Sequence, residues 1–350
     1  MKSRFSWASA LPVVFALAGA LLALNLVSAA FGEAPLGTLA RIWEGTWGSA
    51  YGVGQVLFKA TPLLLTGLAF HVALRAGLFN IGAEGQLALG SLAAGFVASK
   101  LPAGTPWLLA LPLALGAALV VGAAWAAIAG ALRARRDVHE VISTIMLNRI
   151  ADVLVPWAVA GYLGSSSLRT GDIVPGAQLP KFEGLIPALT GSALSAAFPL
   201  AVLATYGAYA WLERSRAGRE MRWVGQNPEA CRAEGIDVRG RIFLAMVLSG
   251  ALAAAAAAGT VLGYKGYYEL GLGAGTGFAG IAVAMLGARS ATGLVASAIL
   301  FGTLEQAGLA INARVPKEAM SVLEALVIVL VAVAAHRSRA GERAAEGAAR

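Results

Sequence analysis

A single cysteine, Cys231, stands in a chain of 350 residues, so no intrachain disulfide can form and no cysteine-held metal cluster is available. Histidine is nearly as scarce: His71, His139 and His336 are scattered without ligand spacing, which gives metal chemistry little support. Charge is the third shortage. Only 13% of the residues are charged, against about 25% in ordinary soluble domains. No His-Glu-x-x-His or Gly-x-Ser-x-Gly motif occurs, which argues against a membrane-embedded hydrolase. The glycine-rich run from Gly271 to Gly277 is followed by no Gly-Lys-Ser/Thr, so the chain is not expected to bind ATP itself.

What is abundant is apolar. The chain is 58% hydrophobic with a mean hydropathy of +0.72, which predicts an all-α polytopic membrane protein. A span takes roughly 20 apolar residues. Ten candidates fall near 9–31, 54–74, 78–99, 106–132, 141–163, 192–213, 242–262, 270–287, 291–311 and 319–335. The first follows Lys2 and Arg4 and ends in Ser28-Ala29-Ala30, as a signal peptide would. Its apolar run exceeds the usual length of about 7–15 residues, so it is read as an uncleaved span. The 43 glycines and the run Ala251 to Ala258 suit helices that pack closely in lipid.

The formal charge of +8 does not imply nucleic acid, because the basic residues lie between apolar spans rather than along one face. They act as orientation signals. Placing both termini in the cytoplasm puts most of the 27 lysines and arginines inside, which supports ten transmembrane helices. On this reading 1–350 is one transmembrane domain, with 164–190 outside and both the 214–241 loop and the basic tail 336–350 inside.

Two segments break the apolar pattern. Gly77-Leu78-Phe79-Asn80-Ile81-Gly82-Ala83-Glu84-Gly85-Gln86 puts amides and a carboxylate into a chain built for hydrocarbon. Polar backbone at membrane depth is tolerated only when buried in protein or facing a water-filled cavity. Asn80, Glu84 and Gln86 therefore become candidates for a pathway. On one helix, Asn80 and Glu84 would share a face while Gln86 would need a broken backbone to join them. The competing reading has Asn80 capping a helix from Ile81, Glu84 paired internally, and Gly82 and Gly85 allowing close packing. The second segment, in the 214–241 loop, carries Asn227 as an N-cap, Pro228 at the first helical position, Glu229 in the first turn and Gly235 as a left-handed stop. That frames a helix of about seven residues, too short to stand alone in water.

Among the remaining charges, Lys59, Arg149, Asp152, Glu305 and Glu324 lie within or near spans, with Arg149 and Asp152 spaced to neutralise each other. These are read as structural pairs. His71 is read as an interfacial residue at a helix end.

Four stretches in order, Gly77 to Gly90, Glu140 to Ile150, Gly225 to Ala230 and Gly277 to Gly287, resemble the permease subunits of bacterial nucleoside ABC importers. These belong to the branched-chain amino acid and simple-sugar permease superfamily. The likeness covers about 54–335. Arg149, Ala279 and Cys231 depart from the residues usual in the family.

The resemblance implies a type II-importer-like permease bundle in the bacterial cytoplasmic membrane, with no catalytic site of its own. It also implies an ABC ATPase subunit, a second permease in a heterodimer and an extracytoplasmic substrate-binding lipoprotein as partners, with ATP and Mg held by the ATPase and no cofactor on this chain. Phe79, Asn80, Glu84, Gln86 and Phe278 are the candidates for the substrate path, the phenylalanines as stacking surfaces for a nucleobase. Gly225, Asn227, Pro228, Glu229, Ala230, Cys231 and Gly235 form the candidate ATPase-coupling helix. The alternatives are a simple-sugar permease of the same kind and an ion-coupled secondary transporter.

Overall fold

Small residues dominate the contact faces of the long apolar helices, and they set how closely the backbones approach. The computed structural model describes residues 29, 32, 35–162, 168–287 and 290–312. The expected span near 319–335 with Glu324, the basic tail and nearly all of the expected span near 9–31 lie outside the described residues.

The described α-helices are α1 (Pro35–Gly45), α2 (Ala50–Arg75), α3 (Ala83–Lys100), α4 (Trp107–Arg136), α5 (Glu140–Trp157) and α6 (Ala197–Arg214). They continue with α7 (Arg216–Gln226), α8 (Pro228–Ala233), α9 (Val238–Ala254), α10 (Thr276–Gly287) and α11 (Ala291–Ile311). Among the described residues, five segments are long and apolar enough to cross a membrane: Ala50–Arg75, Trp107–Arg136, Glu140–Gly161, Val238–Lys265 and Ala291–Ile311. Two of these run on from α5 and α9 through π-helical turns at Ala158–Tyr162 and Ala258–Lys265. Helices α3 and α6, of 18 residues each, occupy two further expected positions.

Three local readings change. The expected span near 270–287 is helical only from Thr276, because Gly271, Gly273 and Gly275 take φ of 84°, 81° and 86°, a left-handed geometry that a right-handed helix cannot include. The expected span near 78–99 starts at Ala83 for the reason given below. Helices α1 and α7, of 11 residues each, are shorter than the roughly 20 residues that a span takes.

The chain divides into two compact units, residues 57–302 and the residues up to 56 together with those from 303. In the first unit, α3, α4 and α9 pack on one another through alanine and glycine. A Cβ placed on Gly250 would collide with the Ala126 methyl and the Gly122 carbonyl, so α4 and α9 touch backbone to backbone. Outward, α4 presents Trp107, Leu109 and Val120. In the second unit, Gln306 Nε2 donates to the Gly45 carbonyl at 3.1 Å, and Gly45 faces Ala310.

Candidate functional site

The segment before α3 is a turn whose backbone is bonded by Asn80 within it and by Glu140 and Asn148 of α5. Asn80 Oδ1 accepts from Gly82 N at 2.9 Å, an Asx-type turn that ends with Gly82 as the N-cap of α3. The helix therefore starts after Asn80, and residues 80 and 84 do not share a helical face. Asn80 instead folds back on Gln86 through a double amide pair: Asn80 Nδ2 to Gln86 Oε1 at 2.9 Å and Gln86 Nε2 to Asn80 Oδ1 at 3.1 Å. Asn80 Nδ2 also donates to Ser249 Oγ at 2.7 Å, and Ser249 donates onward to the Ala69 carbonyl at 2.7 Å. Asn80 and Gln86 are fully buried in this network.

Helix α5 closes the turn from the other side. Asn148 Oδ1 accepts from Gly85 N at 3.0 Å and its Nδ2 donates to the Ile81 carbonyl at 2.9 Å. One side chain thus satisfies a free amide of the first turn of α3 and a carbonyl of the preceding turn. Glu140, at the start of α5, accepts from Phe79 N at 3.1 Å and pairs with Arg133 at 3.2 Å. Asn148, Glu140 and Ser249 were not singled out from sequence. Asn148 and Glu140 lie within the 140–150 stretch, whose polar residues recur on the buried face of α5.

Glu84 turns the other way. Its Oε1 accepts from Gly275 N at 2.6 Å and its Oε2 from Gly277 N at 2.8 Å, so the carboxylate caps the start of α10 from the first turn of α3. The Thr66 hydroxyl fixes the same corner by donating to the Thr276 carbonyl at 3.1 Å. Two helix N-termini therefore converge on one carboxylate inside an apolar bundle, an arrangement by which broken membrane helices present backbone dipoles to a solute. Phe79 packs edge-on against Phe70 with centroids 4.7 Å apart, and Phe79 and Phe278 keep exposed ring surface. The structure thus brings Asn80 and Gln86 together in the interior, and leaves Phe79, Glu84 and Phe278 with surface outside it.

His71 is buried rather than interfacial. Its ring stacks on Tyr209 at 4.5 Å and 8°, and neither ring nitrogen has a hydrogen-bond partner.

The 214–241 loop forms one small body. Asn227 Oδ1 accepts from Glu229 N at 3.1 Å and Ala230 N at 3.0 Å, and Gly235 takes φ 75°, so α8 is capped as its sequence predicts. Helix α7 precedes it, with Ser215 as N-cap accepting from Gly218 N at 2.9 Å. Val224, Cys231 and Val238 pack together, which puts Cys231 in the core of this body. A groove of about 630 Å³ runs between α7 and α8, lined by Arg216, Arg219, Trp223, Asn227, Ala230 and Glu234.

Glu220, buried beneath the loop, pairs with Arg216 at 2.7 Å and with Arg241 of α9 at 2.8 Å. The hydrogen bond from Arg216, reinforced by the charge of Arg241 and opposed by desolvation, holds the Glu220 carboxyl below its ordinary 4.5. A lowered value in the folded state means that this contribution is complete above pH 4.5 and is lost as pH falls through the lowered value. Amide exchange across 214–241, normalised to the intrinsic rate at each pH, is expected to stay constant while pH stays well above 4.5 and to rise as pH falls below it. Glu220→Gln should show the raised exchange already at neutral pH, and a flat profile in the unmodified chain would remove this tie.

The branched-chain amino acid transport system / permease component family matches residues 52–332. The guanosine ABC transporter permease protein of Bacillus subtilis (strain 168) is 39% identical over 296 residues, 83% of this chain and 84% of that protein. The glucose ABC transporter permease protein of Haloferax volcanii is 34% identical over 306 residues, 85% of this chain and 80% of that protein. The nucleoside ABC transporter permease protein of Lactococcus lactis subsp. cremoris is 31% identical over 315 residues, 88% of this chain and 86% of that protein. No solved structure matches the chain.

Proposed function

This chain belongs to the branched-chain amino acid transport system / permease component family of integral membrane ABC transporter permeases, and from that premise we propose that it is the permease subunit of an ATP-driven importer of nucleosides. The observation that carries the reading is the meeting of the α3 and α10 N-termini at Glu84, with exposed ring surface kept by Phe79 in the turn before α3 and by Phe278 in the first turn of α10. A nucleoside offers hydroxyls and an aromatic base, which such a mixture of backbone dipoles, one carboxylate and ring faces accommodates. In this reading Phe79, Glu84 and Phe278 line the path, while Asn80 and Gln86, tied to each other and through Asn80 to Ser249, form the rigid frame behind it.

Coupling is assigned to the capped helix α8, from Asn227 to Gly235, with its adjoining groove facing a cytoplasmic ATPase. Pro228, Glu229 and Ala230 present its first turn, Gly225 seats it on the bundle, and Cys231 anchors it from beneath. ATP and Mg are bound by that ATPase, and a second permease and a substrate-binding lipoprotein complete the importer. The glucose relative supports a second reading, a simple-sugar importer of the same architecture.

Reconstitution with an ATPase, second permease and binding lipoprotein encoded beside it tests both. Labelled guanosine should accumulate in the vesicles only when ATP reaches the ATPase. Accumulation of glucose without guanosine would replace the substrate class. Gradient-driven uptake by this chain alone would replace the importer.

A further inference from the structure

Arg149 and Asp152 pair as their spacing predicts, Nη1 to Oδ2 at 3.2 Å. Their exposure is the informative part. The two side chains are 76% and 55% exposed. They stand near the middle of the segment Glu140–Gly161, each with about 14 Å of helix to the nearer end and about 18 Å to the other, further than an arginine side chain reaches. The remainder of this face is apolar and exposed, through Ile142, Met146, Ile150 and Val153. A face of that composition set against lipid would hold two charges at the costliest depth of the bilayer, where ionisable groups normally look into the protein or a water-filled cavity.

A second observation says which. Helix α5 packs against the residue next to Glu84: Asn148 Oδ1 accepts from Gly85 N at 3.0 Å, and a Cβ on Gly85 would lie 3.0 Å from the Ala151 Cβ. Arg149 and Asp152, each one residue beyond these contacts, therefore stand beside the corner where Glu84 caps the start of α10. Lipid does not suit this face, and a dry protein contact would strand the charges beside the carboxylate of Glu84.

We propose that Arg149 and Asp152 line the aqueous path as a hydrogen-bonding station next to Glu84, for a neutral solute bearing a vicinal diol. The guanidinium fork donates and the two carboxylates accept, which matches neighbouring hydroxyls that each do both. A ribosyl group and a hexose share this chemistry. The proposal deepens the importer reading given above and rests on it for the presence of a path.

The test uses cysteines that leave both charges in place. Ile150→Cys and Val153→Cys, on the same face of α5, are compared in the assembled complex with Val120→Cys on the outward face of α4. A charged, membrane-impermeant methanethiosulfonate is expected to label the two α5 positions at least tenfold faster than position 120. Guanosine or glucose should slow that labelling at least threefold, and Arg149→Gln and Asp152→Asn should each raise the half-saturating solute concentration of uptake about tenfold.

Protection by guanosine identifies a ribosyl ligand. Protection by glucose alone keeps the station and replaces the nucleoside assignment. Labelling only by a lipid-soluble maleimide would make this face a lipid contact, and crosslinking to another subunit without labelling would make it a dry interface; either overturns the proposal. So does labelling that neither solute slows. If the complex transports neither solute, the importer reading fails by itself, and the accessibility of positions 150 and 153 still decides whether the face is wet.

Discussion

Replacing Glu84 with alanine is expected to lower uptake at least a hundredfold at matched expression. Its carboxylate takes the amides of Gly275 and Gly277, and no other acceptor is shown for them. Hydrogen bonds to a charged group contribute about 1.5–3 kcal/mol each, so losing two costs upward of about 3 kcal/mol, and each 1.4 kcal/mol is about tenfold in an equilibrium. The whole effect falls on the start of α10, because that helix has no capping side chain within the left-handed glycine run that precedes it. Glu84→Gln retains one acceptor oxygen and loses the charge, so about a tenfold loss is expected. Uptake, together with amide exchange over 271–280, separates the steps: exchange there should rise in the order wild type, Gln, Ala. Wild-type uptake in the alanine variant would remove Glu84 from the path and from the corner.

How much of this was legible in the sequence depends on the range of each contact. The cap of α8 was readable because Asn227, Pro228 and Gly235 act within a few residues of themselves. The pairing of Arg149 with Asp152 was readable for the same reason, but its exposure was not, since spacing fixes which residues are neighbours and says nothing of what the helix packs against. The turn at 77–82 misled in an instructive way. A helical register put Asn80 with Glu84, whereas the local bond from Gly82 N to Asn80 delays the helix and sends Asn80 to Gln86. Asn148, Ser249 and Gly277 complete the site from far along the chain; Asn148 and Gly277 fall within the stretches that carry the family resemblance, but nothing local pairs any of the three with Asn80, Glu84 or Gly85. His71 was misplaced because it lies one turn from Arg75, while burial against Tyr209 on α6 is a tertiary fact.

The second large effect concerns the joint between the loop and the site. Glu213, near the end of α6, offers one carboxylate oxygen to Arg75, the last residue of α2, and the other to Arg222 of α7. Beside this bridge the backbones of Gly77 and Gly225 meet so closely that a Cβ on Gly77, which has φ 75°, would lie 3.2 Å from the Gly225 Cα. Gly225 is two residues before the cap of α8, and Gly77 is three residues before Asn80. In the proposed coupling role of α8, these contacts form a short route from its start into the 77–86 turn, with Glu213 tying the two sides. An exposed ion pair is normally worth about 1 kcal/mol or less, so Glu213→Gln should leave the chain folded and assembled with the ATPase. The neutral amide offers a single weak acceptor where two guanidinium groups were held. Solute moved per ATP hydrolysed is therefore expected to fall about tenfold, with ATP turnover within about twofold of wild type, as the loss of a coupling free energy of about 1.4 kcal/mol would produce. Uptake and turnover that fall together, or a transport ratio that does not change, would show that the bridge serves assembly alone and that force from α8 reaches the site by another route.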